Sequence, residues 1–283
     1  MSAASEIHLL TLRDVRTLLD ELGAGPKRAL GQNFVVEPNT IRQIVRLAGV
    51  EPGDLVVEIG PGLGSLTLGL IEAGASVIAV EKDDRLAESL RRRIGDVHPG
   101  SLEVRCADAT RIDWDVLTSG RTSKVVANLP YNVATTLIID LLDQADDVES
   151  ITAMVQREVA DRLAAEPGTP AYGLPSVRVA VRGRARRLAV VPPEVFWPRP
   201  RVESAVVRVD RHADAVEIPT GFERLVAAGF GQRRKTLRRA LAGVTDPGAV
   251  ADALGVCGLG PDARAEELSV DHWLALSRAL GPS

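Results

Sequence analysis

Apolar and polar positions recur along this chain in two different periods, and the switches between them mark its elements. Residues 54–59 (DLVVEI) make a short, nearly continuous apolar run, the pattern of a strand covered on both faces, and the run ends at the glycine-rich GPGLG. A helical pattern follows from Ser65 to about Ala73, with Gly74 as its stop. SVIAVE (76–81) reads as the next strand and DRLAESLRRRI (84–94) as an amphipathic helix. LEVRCAD (102–108) and SKVVAN (123–128) are two further strands, ATTLIIDLLDQ (134–144) a helix, and SITAMVQ (150–156) another strand. Strands that alternate with helices predict βαβ units and a mostly parallel sheet, an α/β fold.

The pattern then changes. SVRVAVRGRARRLAVV (176–191) and ESAVVRVD (203–210) have no helix between them and are expected to pair as an antiparallel extension of the sheet. Beyond about Pro219 the segments GFERLVAAGF, RKTLRRALAG, DPGAVADALG and SVDHWLALSRAL are helical, which predicts a small helical C-terminal domain. Near the start, TLRDVRTLLDEL reads as an amphipathic helix expected to pack against the sheet. No internal repeat or low-complexity segment interrupts this order.

Composition narrows the class without choosing a function. The chain has 283 residues, 45% hydrophobic and 25% charged, so it can bury a large core and a smaller one. Only 3% are aromatic, and the core must rest on Val, Leu, Ile and Ala. No apolar run reaches bilayer length, and MSAASEIHLLTLRDV lacks the basic and apolar regions of a secretory signal. Cys106 and Cys257 stand far apart with no metal-ligand spacing. Cys106 is expected to be a buried structural thiol, no metal is expected, and the setting is expected to be the reducing cytoplasm. The net charge of −4 argues against a polyanion partner until its distribution is considered. Residues 176–240 hold 15 Lys or Arg against 6 Asp or Glu, a basic block between two acidic ones.

Chemistry enters at the strand ends. Glu58-Ile59-Gly60-Pro61-Gly62-Leu63-Gly64 sits at a strand-to-helix junction, where a tight turn must let a ligand approach bare backbone. A dinucleotide fingerprint needs its third glycine at position 65, which is Ser65, and the Gly-Lys-Ser/Thr ending of a phosphate-binding loop is missing. The loop suits a nucleoside cofactor without pyrophosphate, such as S-adenosylmethionine. Glu81, at the end of the next strand, is placed to accept from both ribose hydroxyls, and Asp108 in CADAT to accept from the adenine amine. Glu58, Gly60, Gly62, Lys82, Ala109 and Asn128 complete the cofactor set expected around them.

The fourth strand ends in Asn128-Leu129-Pro130-Tyr131. An adenine amine is a poor nucleophile because its lone pair is delocalised into the ring. Acceptors aimed at its two hydrogens favour a pyramidal nitrogen, and the Asn128 side-chain oxygen and the Leu129 carbonyl are assigned that role, with Pro130 fixing the turn. Tyr131 offers a face on which an extruded base stacks. No strong general base is needed, because the amine becomes acidic once alkylated, and no His lies near these motifs.

Together EIGPGLGSLT, Glu81, Asp108 and NLPYNV resemble the ribosomal RNA adenine dimethyltransferase family, whose bacterial members are tied to kasugamycin sensitivity. The likeness runs upstream to Lys27-Arg28-Ala29-Leu30-Gly31-Gln32-Asn33-Phe34 and downstream through QREVADRL, AYGLPSV, VPPEVFWPRPRVESAVVRV, FGQRRKTLRRAL and RAEELSV, covering about residues 27–280. It implies a seven-stranded, Rossmann-like class I methyltransferase sheet with a helical C-terminal domain. It also implies dimethylation of two adjacent adenosines in a hairpin near the 3′ end of 16S RNA. The segment around Gln32 and Asn33 would fold over the cofactor with the backbone of residue 35, where Val35 replaces the usual leucine. The domain reading that follows is an extension over 1–26, a cofactor-binding methyltransferase domain over 27–215, and an RNA-binding helical domain over 216–283.

Phe196, in the proline-rich connection, is expected to form the other wall of the base pocket. Arg233, Arg234, Lys235, Arg238 and Arg239, read as the start of a helix, are expected to contact RNA phosphates. The partner expected is small-subunit RNA in an immature 30S particle, bound by a monomer. Three readings compete. A large-subunit methyltransferase of the macrolide-resistance type shares the cofactor loop and an NLPY-like motif, but not VPPEVFWPRPRVESAVVRV or FGQRRKTLRRAL. A non-catalytic assembly factor on the same fold is disfavoured by the intact glycine loop, Glu81, Asp108 and NLPY. A DNA adenine methyltransferase is disfavoured because no separate target-recognition domain is visible.

Overall fold

The structure, a computed structural model, describes residues 7–23, 25 and 32–281. In chain order its first elements are α1 (Leu12–Glu21), β1 (Phe34–Val35), α2 (Pro38–Leu47), β2 (Leu55–Ile59), α3 (Ser65–Glu72), β3 (Ser76–Glu81) and α4 (Asp84–Leu90). They are followed by β4 (Leu102–Cys106), α5 (Trp114–Thr118), β5 (Ser123–Asn128), α6 (Ala134–Gln144), β6 (Val148–Gln156), α7 (Arg157–Leu163) and α8 (Leu174–Ala180). The rest are β7 (Gly183–Val191), β8 (Phe196–Trp197), β9 (Ser204–Arg211), α9 (Phe222–Gly231), α10 (Leu237–Ala240), α11 (Pro247–Val256) and α12 (Val270–Leu280).

Seven strands form one sheet in the order β4-β3-β2-β5-β6-β9-β7, as the family resemblance implied. The pairs β3–β4, β2–β3, β2–β5 and β5–β6 are parallel, and β9 joins β6 antiparallel. β1 and β8 make a separate antiparallel ribbon with Val35 opposite Phe196. No described helix is long and apolar enough to cross a membrane.

The chain forms two compact units, residues 1–160 with 186–211 and residues 161–185 with 212–283. This division departs from a single boundary near 215, because SVRVAV does not form a strand. Gly173-Leu174-Pro175 starts a helix there, with Pro175 in its first turn. The Ser176 hydroxyl takes the Gly173 N–H at 3.0 Å and donates to the Arg162 carbonyl at 2.6 Å. Val177 and Val181, one helical turn apart, are then buried with Phe222, Val226 and Trp273 in the core of the second unit. Tertiary burial overrides a β-branched alternation here. The antiparallel extension therefore begins only at Gly183.

In the first unit, Leu9, Leu10, Val15 and Leu19 share a core with Phe34, Ile41, Leu70 and Phe196. The N-terminal extension thus supplies apolar surface to that core. α1 starts cleanly because Asp14 takes the Thr11 N–H at 2.8 Å and its hydroxyl at 2.6 Å. Two arginines of the basic block work inside this unit. Arg208 donates to the Ala48 carbonyl at 2.7 Å beyond the end of α2, and Arg211 donates to the Leu141, Leu142 and Ala145 carbonyls at the end of α6. The segment's excess of Arg therefore overstates its free surface charge.

Candidate active site

The sheet reverses its winding at β2. The chain lays β3 and β4 outward on one side and then returns to place β5 on the other. The crevice beyond the carboxyl ends at such a reversal is where α/β sheets bind ligands. A cavity of about 560 Å³ lies there, and Gln32, Asn33, Val35, Glu58, Gly60, Gly62, Glu81, Lys82, Asp108, Ala109 and Asn128 all line it. The adjoining Lys27-Arg28-Ala29-Leu30-Gly31, also implicated over the cofactor, lies outside the described residues.

The glycine loop has two separate jobs. Gly60 has φ +67°, and a Cβ there would meet nothing within 4 Å, so its backbone stays open on that side. Gly64 has φ +89°, and a Cβ there would stand 2.6 Å from Leu90 and 2.7 Å from Ile94, so only glycine lets α3 start this close to its neighbours.

The carboxyls at the strand ends differ sharply. Glu58 is 1% exposed, and the Thr67 hydroxyl donates to its Oε2 at 2.6 Å. Burial pushes its pKa up to about 8, although the Thr67 bond pulls the other way and Glu81 adds to the rise. Glu81 accepts the Gly62 N–H at 3.0 Å and the Asp83 N–H at 2.9 Å, which ties the loop to β3, and burial raises it too. Asp108 moves the other way. The Lys82 ammonium at 2.7 Å, together with the Thr110 hydroxyl and N–H, holds it at about 2. The adenine-acceptor role expected of it therefore meets a competitor, since Lys82 is already on Oδ2.

Asn128 ends β5 with its amide nitrogen donating to the Asn33 carbonyl at 2.9 Å. Beyond it, the Leu129 N–H bonds the Met154 carbonyl, and the Pro130 carbonyl accepts from Val133 and Ala134 as α6 begins. This turn fixes the backbone that follows Asn128. Pro130 lines the cavity, whereas Leu129, Tyr131 and Phe196 do not. Tyr131 is half-buried and shares a 2.8 Å hydrogen bond with the Ser204 hydroxyl, and burial raises its phenol above the ordinary value.

Three expectations need correction. Phe196 is only 4% exposed and belongs to the core with Phe34 and Val35, so it backs β1 instead of presenting a free face. Cys106 is exposed on the edge strand β4, its thiol donating to Asp84 at 2.7 Å, because an edge strand leaves one face uncovered. The basic cluster starts before its helix: α10 covers only Leu237–Ala240. Arg233 is held by Glu266 at 2.5 Å and donates to the Pro170 and Thr169 carbonyls, which makes it structural. Arg234, Lys235, Arg238 and Arg239 are exposed.

Other lining residues escaped the sequence reading. Ser65 follows the glycine loop directly, 7% exposed at the N-terminus of α3, and its hydroxyl has no hydrogen-bond partner among the described residues. Asn132 and Thr110 sit inside the very motifs that were read, NLPYN and CADAT. A buried orphan donor at a helix N-terminus, beside two buried carboxyls in the same wall, fits a ligand that carries both a carboxylate and a cation. The amino-acid end of S-adenosylmethionine has both.

Comparison with known proteins bears on the same residues. The description "Ribosomal RNA adenine dimethylase" matches residues 25–281. A Ribosomal RNA small subunit methyltransferase A from Leifsonia xyli is 45% identical over 280 residues, covering 96% of this chain and 99% of its own. One from Kineococcus radiotolerans is 48% identical over 268 residues, covering 93% and 88%. Among solved structures, the 23S rRNA methyltransferase ErmE aligns with TM-score 0.69 at 27% identity, over 87% of this chain and 99% of its own. A dimethyladenosine transferase from Plasmodium falciparum shares the fold, with TM-score 0.73 at 22% identity over 85% and 94%.

Proposed function

The chain belongs to the ribosomal RNA adenine dimethylase family, and from that premise we propose that it dimethylates the exocyclic amines of two adjacent adenosines in the 3′-terminal hairpin of 16S ribosomal RNA. The methyl donor is S-adenosylmethionine, which when bound supplies an electrophilic methyl group on a sulfonium. Relatives 45% and 48% identical over nearly the whole chain bear small-subunit names, whereas ErmE, which acts on 23S RNA, stands at 27%. That difference favours the small-subunit substrate over the macrolide-resistance type.

The observation that carries the chemistry is the Asn128–Asn33 bond at 2.9 Å. With the amide nitrogen committed to a main-chain carbonyl, the opposite end of the amide is an acceptor at the cavity wall. Asn128 Oδ1 and the Leu129 carbonyl accept the two amine hydrogens and release the nitrogen lone pair toward the methyl group. Pro130 holds the turn and Tyr131 stacks on the extruded base. Phe196 holds β1 in place through its pairing with Val35. Glu81 takes the ribose hydroxyls, and Asp108 with Ala109 takes the adenine edge. Gln32, Asn33, Val35, Gly60 and Gly62 enclose the rest of the cofactor.

Arg234, Lys235, Arg238 and Arg239 contact RNA phosphates in the second unit. The substrate is ribosomal RNA in an immature small subunit, and the protein works as a cytoplasmic monomer. The test is methyl transfer from labelled cofactor to unmethylated small subunits, large subunits and duplex DNA. Dimethyladenosine only in the small-subunit RNA is the expected result. Cofactor binding with no transfer to any of the three overturns the proposal in favour of an assembly factor.

A further inference from the structure

The glycine loop is held from behind as well as from the cavity side. Gly60, Pro61 and Gly62 line the cavity, while Leu63 and Gly64, next along the chain, do not. Pro61 to Gly64 form a tight turn, closed by the Gly64 N–H donating to the Pro61 carbonyl at 2.9 Å. On the cavity side, Glu81 takes the Gly62 N–H at 3.0 Å. On the far side, the Arg93 guanidinium donates to the Leu63 carbonyl at 2.6 Å, across 30 residues of chain. That carbonyl belongs to the same amide as the Gly64 N–H that closes the turn. A cation on the oxygen polarises the amide and strengthens the bond that its N–H makes. The turn behind the cavity wall is thus reinforced by a residue that does not line the cavity.

Arg93 reaches the loop through an irregularity in its helix. After α4 the chain runs through Arg91–Gly95 as one wider, π-helical turn, with the Asp96 N–H donating to the Arg91 carbonyl at 3.1 Å. Such insertions are frequent at functional sites. Of the three consecutive arginines, Arg91 and Arg92 are exposed and pair with Glu88, whereas Arg93 turns inward and is half-buried. Its Nε donates to the buried Ser89 hydroxyl at 3.3 Å, which orients the guanidinium. Leu90 and Ile94, on the same stretch, are the buried side chains that crowd Gly64. Burial pushes the Arg93 pKa down, and the charge of Glu21, the last residue of α1, pulls the other way.

We infer that Arg93 is a positioning residue for cofactor binding: through the Leu63 carbonyl it sets the turn whose Gly60–Gly62 side faces the ligand. This rests on the reading that the cavity takes S-adenosylmethionine. Arg93 acts through backbone shape, so it serves S-adenosylmethionine and the product S-adenosylhomocysteine alike and has no part in the transfer step.

Arg93→Met keeps the apolar stem and removes the donors. Calorimetry should show both ligands bound about tenfold more weakly. Steady-state transfer should show KM for the cofactor raised to match, with kcat at saturating cofactor within about twofold and KM for RNA unchanged. Arg93→Lys retains a cationic donor and should recover most of the lost affinity. Amide exchange in Arg93→Met should quicken at Gly64 and hold steady in β5 and β6, which a general loss of stability would not produce. Should Arg93→Met fail to fold, Ser89→Ala, which frees only the Nε, should weaken both ligands about two- to threefold. Unchanged affinity in Arg93→Met or, in its place, Ser89→Ala, a fall in kcat instead of affinity, or a loss for one ligand only would each overturn the positioning role while leaving the cofactor assignment intact. So would an Arg93→Lys variant no better than Arg93→Met. Failure of the wild type to bind either ligand overturns both.

Discussion

Asn128 donates its side-chain N–H to the main-chain carbonyl of Asn33, 95 residues away, at 2.9 Å. The bond joins the end of β5 to the segment entering β1 and decides which end of the amide is an acceptor. Asn128→Ala removes the acceptor and should lower kcat by about 10² to 10³, the usual effect of losing one preorganised group. Asn128→Asp keeps an oxygen but sets a carboxylate against the Asn33 carbonyl, so it should not rescue activity. Single-turnover transfer measured alongside cofactor affinity checks both. Full activity in Asn128→Asp would mean that the Asn33 contact has no part in positioning.

Lys82 and Asp108 form the second pair that decides how the cavity behaves. Asp108 is held at about 2, chiefly by the Lys82 bond. A carboxyl with a lowered folded pKa adds stability above its unfolded value, near 3.9, and that stability is lost as pH falls toward 2. Lys82→Ala should move the Asp108 titration up toward the ordinary carboxylate range and shorten that acid window. Carboxyl-carbon NMR titration reads the shift directly. An unmoved Asp108 would assign its low value to Thr110 instead.

The basic cluster divides into two kinds of arginine. Arg233→Ala breaks the pair with Glu266 and two bonds to carbonyls, so it should destabilise the protein by about 1–3 kcal/mol in denaturant unfolding. Arg234→Glu with Arg238→Glu should leave stability within about 0.5 kcal/mol. The double variant should weaken RNA binding and flatten its dependence on salt. An unchanged salt slope would remove these residues from the RNA surface.

Tyr131 separates ring from hydroxyl. Its hydrogen bond to Ser204 lies within the protein, while the proposed base stacking uses the ring face. Tyr131→Phe should therefore keep transfer within a few-fold of wild type, at a stability cost of about 1 kcal/mol. Tyr131→Ala should lose about 1–3 kcal/mol of base stacking, seen as a raised KM for RNA. Equal loss in both variants would make the hydroxyl, not the ring, the functional group.

The sequence made the sheet legible because β2, β3, β5 and α6 each carry a clean local period that tertiary packing only confirms. α8 was misread because Val177, Val179 and Val181 alternate like a strand, and only the three-dimensional fold buries Val177 and Val181 together with Phe222 and Val226. The β1–β8 ribbon is two residues a side across a gap of some 160, so no local pattern announces it. Strand ends gave away Glu81, Asp108 and Asn128. What each carboxyl meets is long-range, and so the Lys82–Asp108 pair and the burial of Glu58 appear only in three dimensions. The same holds for Phe196: its motif marks it, but its packing into the core depends on α1 and β1 together.

Ser65 gives the sharpest test of the cavity, because a structural and a binding role predict opposite signs. Its hydroxyl is buried without a partner among the described residues, and an unsatisfied buried polar group costs about 1–3 kcal/mol. Ser65→Ala should therefore leave the ligand-free protein at least as stable as wild type in thermal unfolding. In the presence of S-adenosylmethionine the order should reverse, because the variant forfeits a hydrogen bond to the ligand's carboxylate and binds about tenfold more weakly. The extra stability conferred by ligand follows from affinity by mass action, so one set of melting curves with and without cofactor reads both effects. A variant that loses stability without ligand would show that the Ser65 hydroxyl has a structural partner. A variant with unchanged affinity would show that the ligand's carboxylate lies elsewhere in the cavity.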